Sequence, residues 1–349
     1  LTSYNLHPNL LLLLRSYLTN RKHRVVVDGQ CSSWNLVPSG IPQGSILGPL
    51  LFNLFVNDIP QQLSSDCLMF ADDLKIFRQI SCPSDITNLQ HDLDKLYSWS
   101  LAWRLLLNIN KCSFISLTLK RKPISSNYHI NYNVLNQVTV QKDLGVFIDS
   151  RLNFVSNVDH VIKKANRMSG LIWRNFRSIK DERTLRTLYC TLVRPHLEYC
   201  TVTFNSISSY QISRIERVQR RFLSFMYKNL NSSLCNLDYL ELCDLYKLSP
   251  LSVRRSVNDC LFLYKHFHNL FNITDANPFS LHVPTRQTRL VNDHILHVPR
   301  SCVEVTKRGF VSRISSTYNG LHGMCDVFGV ASLGSFRNQI YRAIAVKAV

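Results

Sequence analysis

The sequence predicts an α+β chain, with strand pairs and helices mixed over residues 1–150 and helices almost alone thereafter. Two local signals predict the strands: short apolar runs flank Asp28-Gly29 and again Asp72-Asp73, and such dipeptides between such runs make hairpin turns. One longer-range signal predicts the helices. From Val158 onward, apolar residues recur at steps of three and four, the spacing that lines one helix face. At 349 residues, 45% hydrophobic and 18% charged, the chain can bury two or three compact units and is too apolar for general disorder.

Each element has a local reason. Pro8 suits the first turn of a helix, where its missing N–H costs nothing, and Leu10 to Leu14 carry that helix to about Leu18 as a buried segment. Arg24 to Val27 and Trp34 to Val37 form a hairpin about Asp28-Gly29. Pro38 to Gly44 is a loop dense in breakers, and the mostly apolar stretch from Pro49 to Ile59 reads as a buried helix. Cys67 to Ala71 and Leu74 to Phe77 make a hairpin with Asp72 and Asp73 at its tip. Ser84 can cap a helix whose apolar stripe is Ile86, Leu89, Leu93, Leu96 and Trp103, with Ser100 the one polar lapse, and Trp99 and Trp103 read as core.

Leu106 to Leu119 turns β-like, and Lys142 to Asp149 reads as a strand pair or strand edge. The helix that follows packs Val158, Val161, Ala165, Met168 and Ile172, leaving Lys163, Lys164, Arg167 and Arg174 mostly off that stripe. Helical patterns recur at 181–193, 211–227 and 239–270, while Val283 to Arg300 reads as irregular.

Charge points to a polyanion. Forty-one Lys and Arg against 23 Asp and Glu leave +18, an excess that favours phosphate contacts and counterion release. Residues 151–230 hold fifteen of those cations and five of the acids, a net +10 in under a quarter of the length. The eleven cysteines show no C-x-x-C pair, so no zinc knuckle or redox pair is visible, and they suit a reducing compartment. No apolar run is long enough to span a bilayer. Residue 1 is Leu and no signal peptide follows, so the sequence reads as truncated.

Adjacent carboxylates at a hairpin tip repel one another unless a divalent cation neutralises them, so Phe70-Ala-Asp-Asp73 points to a metal; a solvated turn is the bland alternative. The neighbours sharpen this. Ser39-Gly-Ile-Pro-Gln-Gly-Ser45 with Leu47-Gly-Pro-Leu-Leu-Phe52 resembles motif B of non-LTR reverse transcriptases, and Phe70-Ala-Asp-Asp73 resembles their motif C, in the right order and spacing. Leu107-Asn108 with Lys111-Cys112 is similar to motif D. Leu144-Gly145 with Asp149 and Leu152 resembles the primer-grip region. Thr191 to Tyr199 and Arg217 to Phe222 resemble the thumb and post-thumb of jockey- and CR1-like elements.

The resemblance implies a polymerase palm remnant with motifs B to E in 1–150, a basic helical thumb in 151–230, and a mostly helical extension of unknown role in 231–349. It implies RNA-directed DNA synthesis: transfer of a deoxynucleotide from a dNTP to a DNA primer on an RNA template, using Mg²⁺ or Mn²⁺. Asp72 is then the principal metal ligand and Asp73 its weaker partner; Ser39, Gly40, Pro42, Gln43 and Gly44 shape the nucleotide pocket. Lys111 would stabilise the departing pyrophosphate, a solvated lysine being the other reading. Leu144, Gly145, Lys163, Lys164, Arg167 and Arg174 would meet nucleic acid.

One departure stands out. The family carries a further catalytic Asp on a motif A strand upstream of motif B, yet this chain has no Asp before Asp28, itself in a turn. The expectation is a chain that polymerises poorly alone. Tyr318-Asn319 stands where relatives often carry Trp-Asn, suggesting drift. The rivals are a non-catalytic nucleic-acid-binding relic, a group II intron maturase, and an interaction protein with an accidental Asp-Asp turn. An intracellular, nuclear setting follows from the resemblance alone.

Overall fold

The computed structural model describes residues 4–122, 124, 126–232, 235–271, 277–281, 295–321 and 323–347. Helices and two-stranded strand pairs alternate early and helices follow, an α+β architecture that divides into two units.

The first unit holds residues 1–114 and 120–137. Helix α1 (Pro8–Leu18) starts at Pro8 as predicted, but only Leu14 is buried, with Leu12 and Leu13 more than 60% exposed. Consecutive helical residues point about 100° apart, so one packed face cannot cover a run of leucines. Strands β1 (Lys22–His23), β2 (Val26–Val27), β3 (Gln30–Cys31) and β4 (Asn35–Leu36) nest as two antiparallel pairs. Asp28 and Gly29 both take positive φ, as a tight hairpin turn demands, so the turn is where the sequence puts it. The outer pairing differs: β4 meets β1, not the valine run.

Helix α2 (Leu47–Val56) and helix α3 (Ile59–Gln62) replace the single buried helix expected over 49–59. Of its large apolar residues, Leu51, Val56 and Ile59 are buried whereas Leu50 and Phe55 are exposed. Strands β5 (Asp66–Phe70) and β6 (Asp73–Phe77) form the acidic hairpin. Helix α4 (Pro83–Ala102) is capped by Cys82 rather than Ser84, because Pro83 takes the first helical position and Asp85 reaches back to the backbone N–H of Cys82 at 3.1 Å. Trp99 is core, but Trp103 ends the helix half-exposed.

The core of this unit packs Met69, Leu74 and Ile76 of the acidic hairpin against Val56, Ile59, Leu96 and Trp99. Leu106 to Leu119, expected as strand, is mostly irregular; it holds a 3-10 turn (Ile109–Lys111) and the short strand β7 (Ser113–Phe114). Strands β8 (His129–Ile130), β9 (Asn133–Val134) and β10 (Asn136–Gln137) follow, with β10 parallel to β7.

The second unit holds 115–119 and 138–349. It opens with strands β11 (Val140–Asp143) and β12 (Val146–Asp149), so this hairpin groups with the helices after it. Helix α5 (Val155–Asn175) buries Val158, Val161, Ala165 and Ile172, the predicted stripe, with Met168 partly buried beside them. Helix α6 (Glu182–Leu188) runs through a π-helical turn (Tyr189–Val193) into α7 (Arg194–Glu198), followed by α8 (Thr201–Phe204) and α9 (Ser209–Asn231). The helix expected over 239–270 is two, α10 (Tyr239–Leu245) and α11 (Leu251–Phe267), parted where Lys247 takes positive φ and Pro250 cannot continue a helix. Helices α12 (Glu304–Lys307), α13 (Phe310–Leu321) and α14 (Leu333–Lys347) complete it. Most of Val283 to Arg300 lies outside the described residues.

Two cores fill this unit. One gathers α5, α6, α9 and α10 around Tyr189, Ile215 and Phe222; the other gathers α11, α13 and α14 around Leu263, Tyr318 and Phe336. Polar bolts link them: Arg254 is forked onto Glu198, and Arg313 holds the buried Asp259 at 2.9 Å while also donating to Val202 O. Gln219, fully buried, accepts from Tyr189 Oη at 2.7 Å and donates to Tyr239 Oη at 2.9 Å and Ser249 O at 3.1 Å. A buried amide is tolerated when its donors and acceptor are matched in this way.

Candidate functional site

The acidic hairpin turns on Ala71 and Asp72, not on both aspartates: Phe70 pairs with Asp73, which is the first residue of β6. Ala71 takes a φ of 51°. A side chain in that region is disfavoured by roughly 1 kcal/mol or more, strain that marks the turn as a position to examine for function. Asp72 and Asp73 are both exposed, while the strands behind them are anchored by Met69, Leu74 and Ile76. The arrangement presents two carboxylates on a stiff, buried base.

These two carboxylates do not by themselves complete a two-ion site, which needs further oxygen ligands. Among the described residues no group of three or more His, Cys, Asp or Glu is placed to hold a metal ion. Asp28, the only aspartate ahead of the glycine loop, sits in its hairpin turn as the sequence predicted.

The glycine loop is a built structure. Arg21 donates to Ser39 O at 3.2 Å and to Gly40 O at 2.5 Å, tying the loop to the end of α1. Gly40 and Gly44 both take positive φ, and Cβ atoms at either would meet open space, so backbone conformation is what calls for glycine there. Ser45 Oγ donates to Pro42 O at 2.8 Å and accepts from Gly48 N at 3.0 Å, fastening the loop to the first turn of α2. Gln43 is exposed on that fastened loop. Lys111 is exposed at the end of the 3-10 turn, and no ion pair joins it to Asp72 or Asp73 among the described residues.

In the second unit, Leu144 and Gly145 form the β11–β12 turn, both with positive φ. Asp149 is not free to meet a ligand: it is buried and accepts from Arg151 N and Asn153 N at 3.1 Å and from Phe154 N at 2.6 Å, shaping the entry to α5. Lys163, Lys164, Arg167 and Arg174 are all exposed on α5, opposite its buried stripe, and Arg217, Arg220 and Arg221 are exposed on α9. The sequence pattern thus located the basic faces correctly.

Sequence reasoning gave no role to His160 or Asn157, which line a cleft with Lys164, His196 and Tyr199. Burial and the charge of Lys164 push the pKa of both histidines below the ordinary value. A stripe read for apolar residues passes over a histidine and an asparagine, so no signal flagged them. Elsewhere, His266 bonds Asn277, and His268 bonds Val327 O and stacks on Tyr264. All eleven cysteines are free. Among the described residues no helix is long and apolar enough to cross a membrane.

Residues 1–168 match the family model for reverse transcriptase (RNA-dependent DNA polymerase). The RNA-directed DNA polymerase from mobile element jockey of Drosophila funebris is 27% identical over 231 residues, 62% of this chain and 25% of that protein. The probable RNA-directed DNA polymerase from transposon X-element of Drosophila melanogaster is 29% identical over 220 residues, 60% of this chain and 24% of that protein. The polymerase from transposon BS of the same fly is 28% identical over 221 residues, again 60% and 24%. The matched region spans about a quarter of the length of these curated relatives. No solved structure matches the chain. With the glycine loop and the acidic hairpin in the family's order, residues 1–168 carry a reverse transcriptase domain, and the chain is similar to the LINE-like, non-LTR polymerases of the jockey kind.

Proposed function

We propose that this chain serves RNA-directed DNA synthesis by a non-LTR element, as the part that shapes the nucleotide pocket and grips primer and template. The observation that carries this reading is the pairing, in one unit, of a fastened glycine loop with a rigid hairpin presenting Asp72 and Asp73. In this reading the first unit is palm, residues 151–230 are the thumb, and residues 231–349 support it. Gln43 and Gly44 face the incoming dNTP and its template base, and Lys111 neutralises the departing pyrophosphate. Asp72 and Asp73 contribute to holding Mg²⁺ or Mn²⁺, whose chemistry in such enzymes is to polarise the reacting phosphate.

Two carboxylates without a third make this chain, taken alone, a binder of primer–template rather than a polymerase. Primer extension on an RNA template tests this, comparing the 349-residue chain, a longer product of the same reading frame carrying a third carboxylate, and Asp72→Ala in the longer product. Extension by the longer product alone, abolished by Asp72→Ala, is the expected result. Robust extension by the 349-residue chain would refute the two-carboxylate argument. An inactive longer product beside a shorter one that binds duplex with steep salt dependence would favour the non-catalytic relic.

A further inference from the structure

Helices α5 and α7 and the Leu144–Gly145 turn enclose a cleft of about 270 Å³, lined by Gly145, Asn157, His160, Lys164, His196 and Tyr199. No carboxylate lines it. Asn157 is 1% exposed; its Oδ1 accepts from Phe147 N at 3.1 Å, and its Nδ2 has no hydrogen-bond partner. His160 Nε2 is buried and lacks a partner as well, although its ring is held against Phe147 at 4.8 Å between centroids. An unpaired amide donor, and an imidazole nitrogen that can carry a proton, are costly in a covered site until an acceptor arrives.

The charges bearing on His160 all have one sign. After burial itself, Lys164 and Lys163 on its own helix, Lys142 on β11 and His196 on α7 each disfavour the imidazolium. Asp159, the adjacent acid on α5, is committed to Arg214 at 2.6 Å. The cleft therefore combines cations at its mouth with unanswered N–H groups behind them, and a species that only accepts hydrogen bonds and carries negative charge satisfies both.

We propose that this cleft seats one backbone phosphate of a nucleic-acid strand, with Lys164 and His196 at the mouth and the His160 and Asn157 N–H groups behind. This rests on the nucleic-acid reading given above. The neighbouring geometry fits a strand running past: Lys163, Arg167 and Arg174 continue along the exposed side of α5, so the cleft fixes register where the open face supplies only attraction. Tyr199 keeps one wall in place, its hydroxyl donating to Leu144 O at 2.8 Å.

The test uses the full 349-residue chain and an RNA–DNA primer–template duplex in which each backbone phosphate in turn is replaced by a neutral methylphosphonate, with affinity read by fluorescence anisotropy. One linkage should weaken binding roughly tenfold when neutralised, the weight of a single charge-assisted contact, in the wild-type chain and in Lys164→Arg. In the double variant Lys164→Met, His196→Gln the same neutralisation should have no further effect. The His160 ring resonances should titrate at higher pH with duplex bound than without it. If binding is salt-dependent but no linkage stands out, the cleft holds no phosphate and the proposal falls while the family reading stands. Absence of any duplex binding sinks both. If inorganic phosphate or pyrophosphate moves the His160 resonances and the duplex does not, the cleft is a free-anion site and the proposal is overturned.

Discussion

Tyr199 donates its hydroxyl hydrogen to the carbonyl of Leu144 at 2.8 Å, and its ring edge lies 3.2 Å from where a Cβ on Gly145 would stand. Gly145 also has a φ of 88°. A side chain there meets both backbone strain and the ring of Tyr199. Gly145→Ala should cost about 1–3 kcal/mol in urea unfolding, while Tyr199→Phe, losing one exposed hydrogen bond, should cost about 1 kcal/mol or less. Equal stability of Gly145→Ala and wild type would show that the turn does not need glycine.

Asp149 lies in the stretch that resembles the primer-grip region, yet its oxygens accept from three backbone N–H groups. Leu152 and Phe154 both take positive φ in the segment it organises. Asp149→Ala should therefore lower stability by about 2–4 kcal/mol, because buried donors are left unanswered. Calorimetry reads this directly; an undisturbed melting temperature with weakened duplex binding would reassign Asp149 to ligand contact.

Asp92 is fully buried and accepts from Ser64 N, Ser64 Oγ and Ser65 N at 2.8–2.9 Å. Burial by itself would raise its pKa, but those bonds from Ser64 and Ser65 prevail and hold it below the usual carboxylate range. A depressed folded-state value means that its stabilisation is present above the unfolded pKa, about 3.9, and is lost as pH falls through the lower folded one. Asp92→Asn should be less stable than wild type at pH 7, and the gap should narrow below about pH 4. A gap that stays constant from pH 7 to pH 2 would mean the carboxylate charge is not what the serines hold.

Asp72 and Asp73 are exposed and lean on no other side chain for the fold. The double variant Asp72→Asn, Asp73→Asn should unfold within about 0.5 kcal/mol of wild type, as surface changes do. Loss of more than that in denaturant titration would mark the pair as structural and undercut its catalytic reading.

Much of the first unit was legible because its signals are local. Asp28-Gly29 and Leu144-Gly145 announce turns through backbone preference, and the glycine loop announces itself through residues that adopt positive φ. Stripe reading placed the α5 core and its cations for the same reason: one period governs one helix. What failed was decided elsewhere in the chain. Whether Leu12 or Leu50 is covered depends on neighbours that no window contains, and the displacement of the cap from Ser84 to Cys82 turned on Pro83 taking the first helical position. The cleft was invisible because Asn157 and His160 of α5 meet His196 of α7 only when the two helices pack. Tyr318-Asn319, where the resemblance suggested drift, is packed into the helical unit: Tyr318 Oη accepts from Val327 N at 3.0 Å, and Asn319 bonds both backbone groups of Leu296.

The hold of Arg313 on Asp259 has a genetic consequence. Asp259 is buried, which pushes its carboxyl pKa up, and the Arg313 guanidinium is the main charge opposing that shift. A stop codon or frameshift ahead of position 313 removes the guanidinium together with most of α13 and all of α14, the helices whose Ile314, Tyr318 and Phe336 pack against Leu263 of α11. Decay of those codons would thus unmake the second core of this unit, and purifying selection on that tail can act through folding alone.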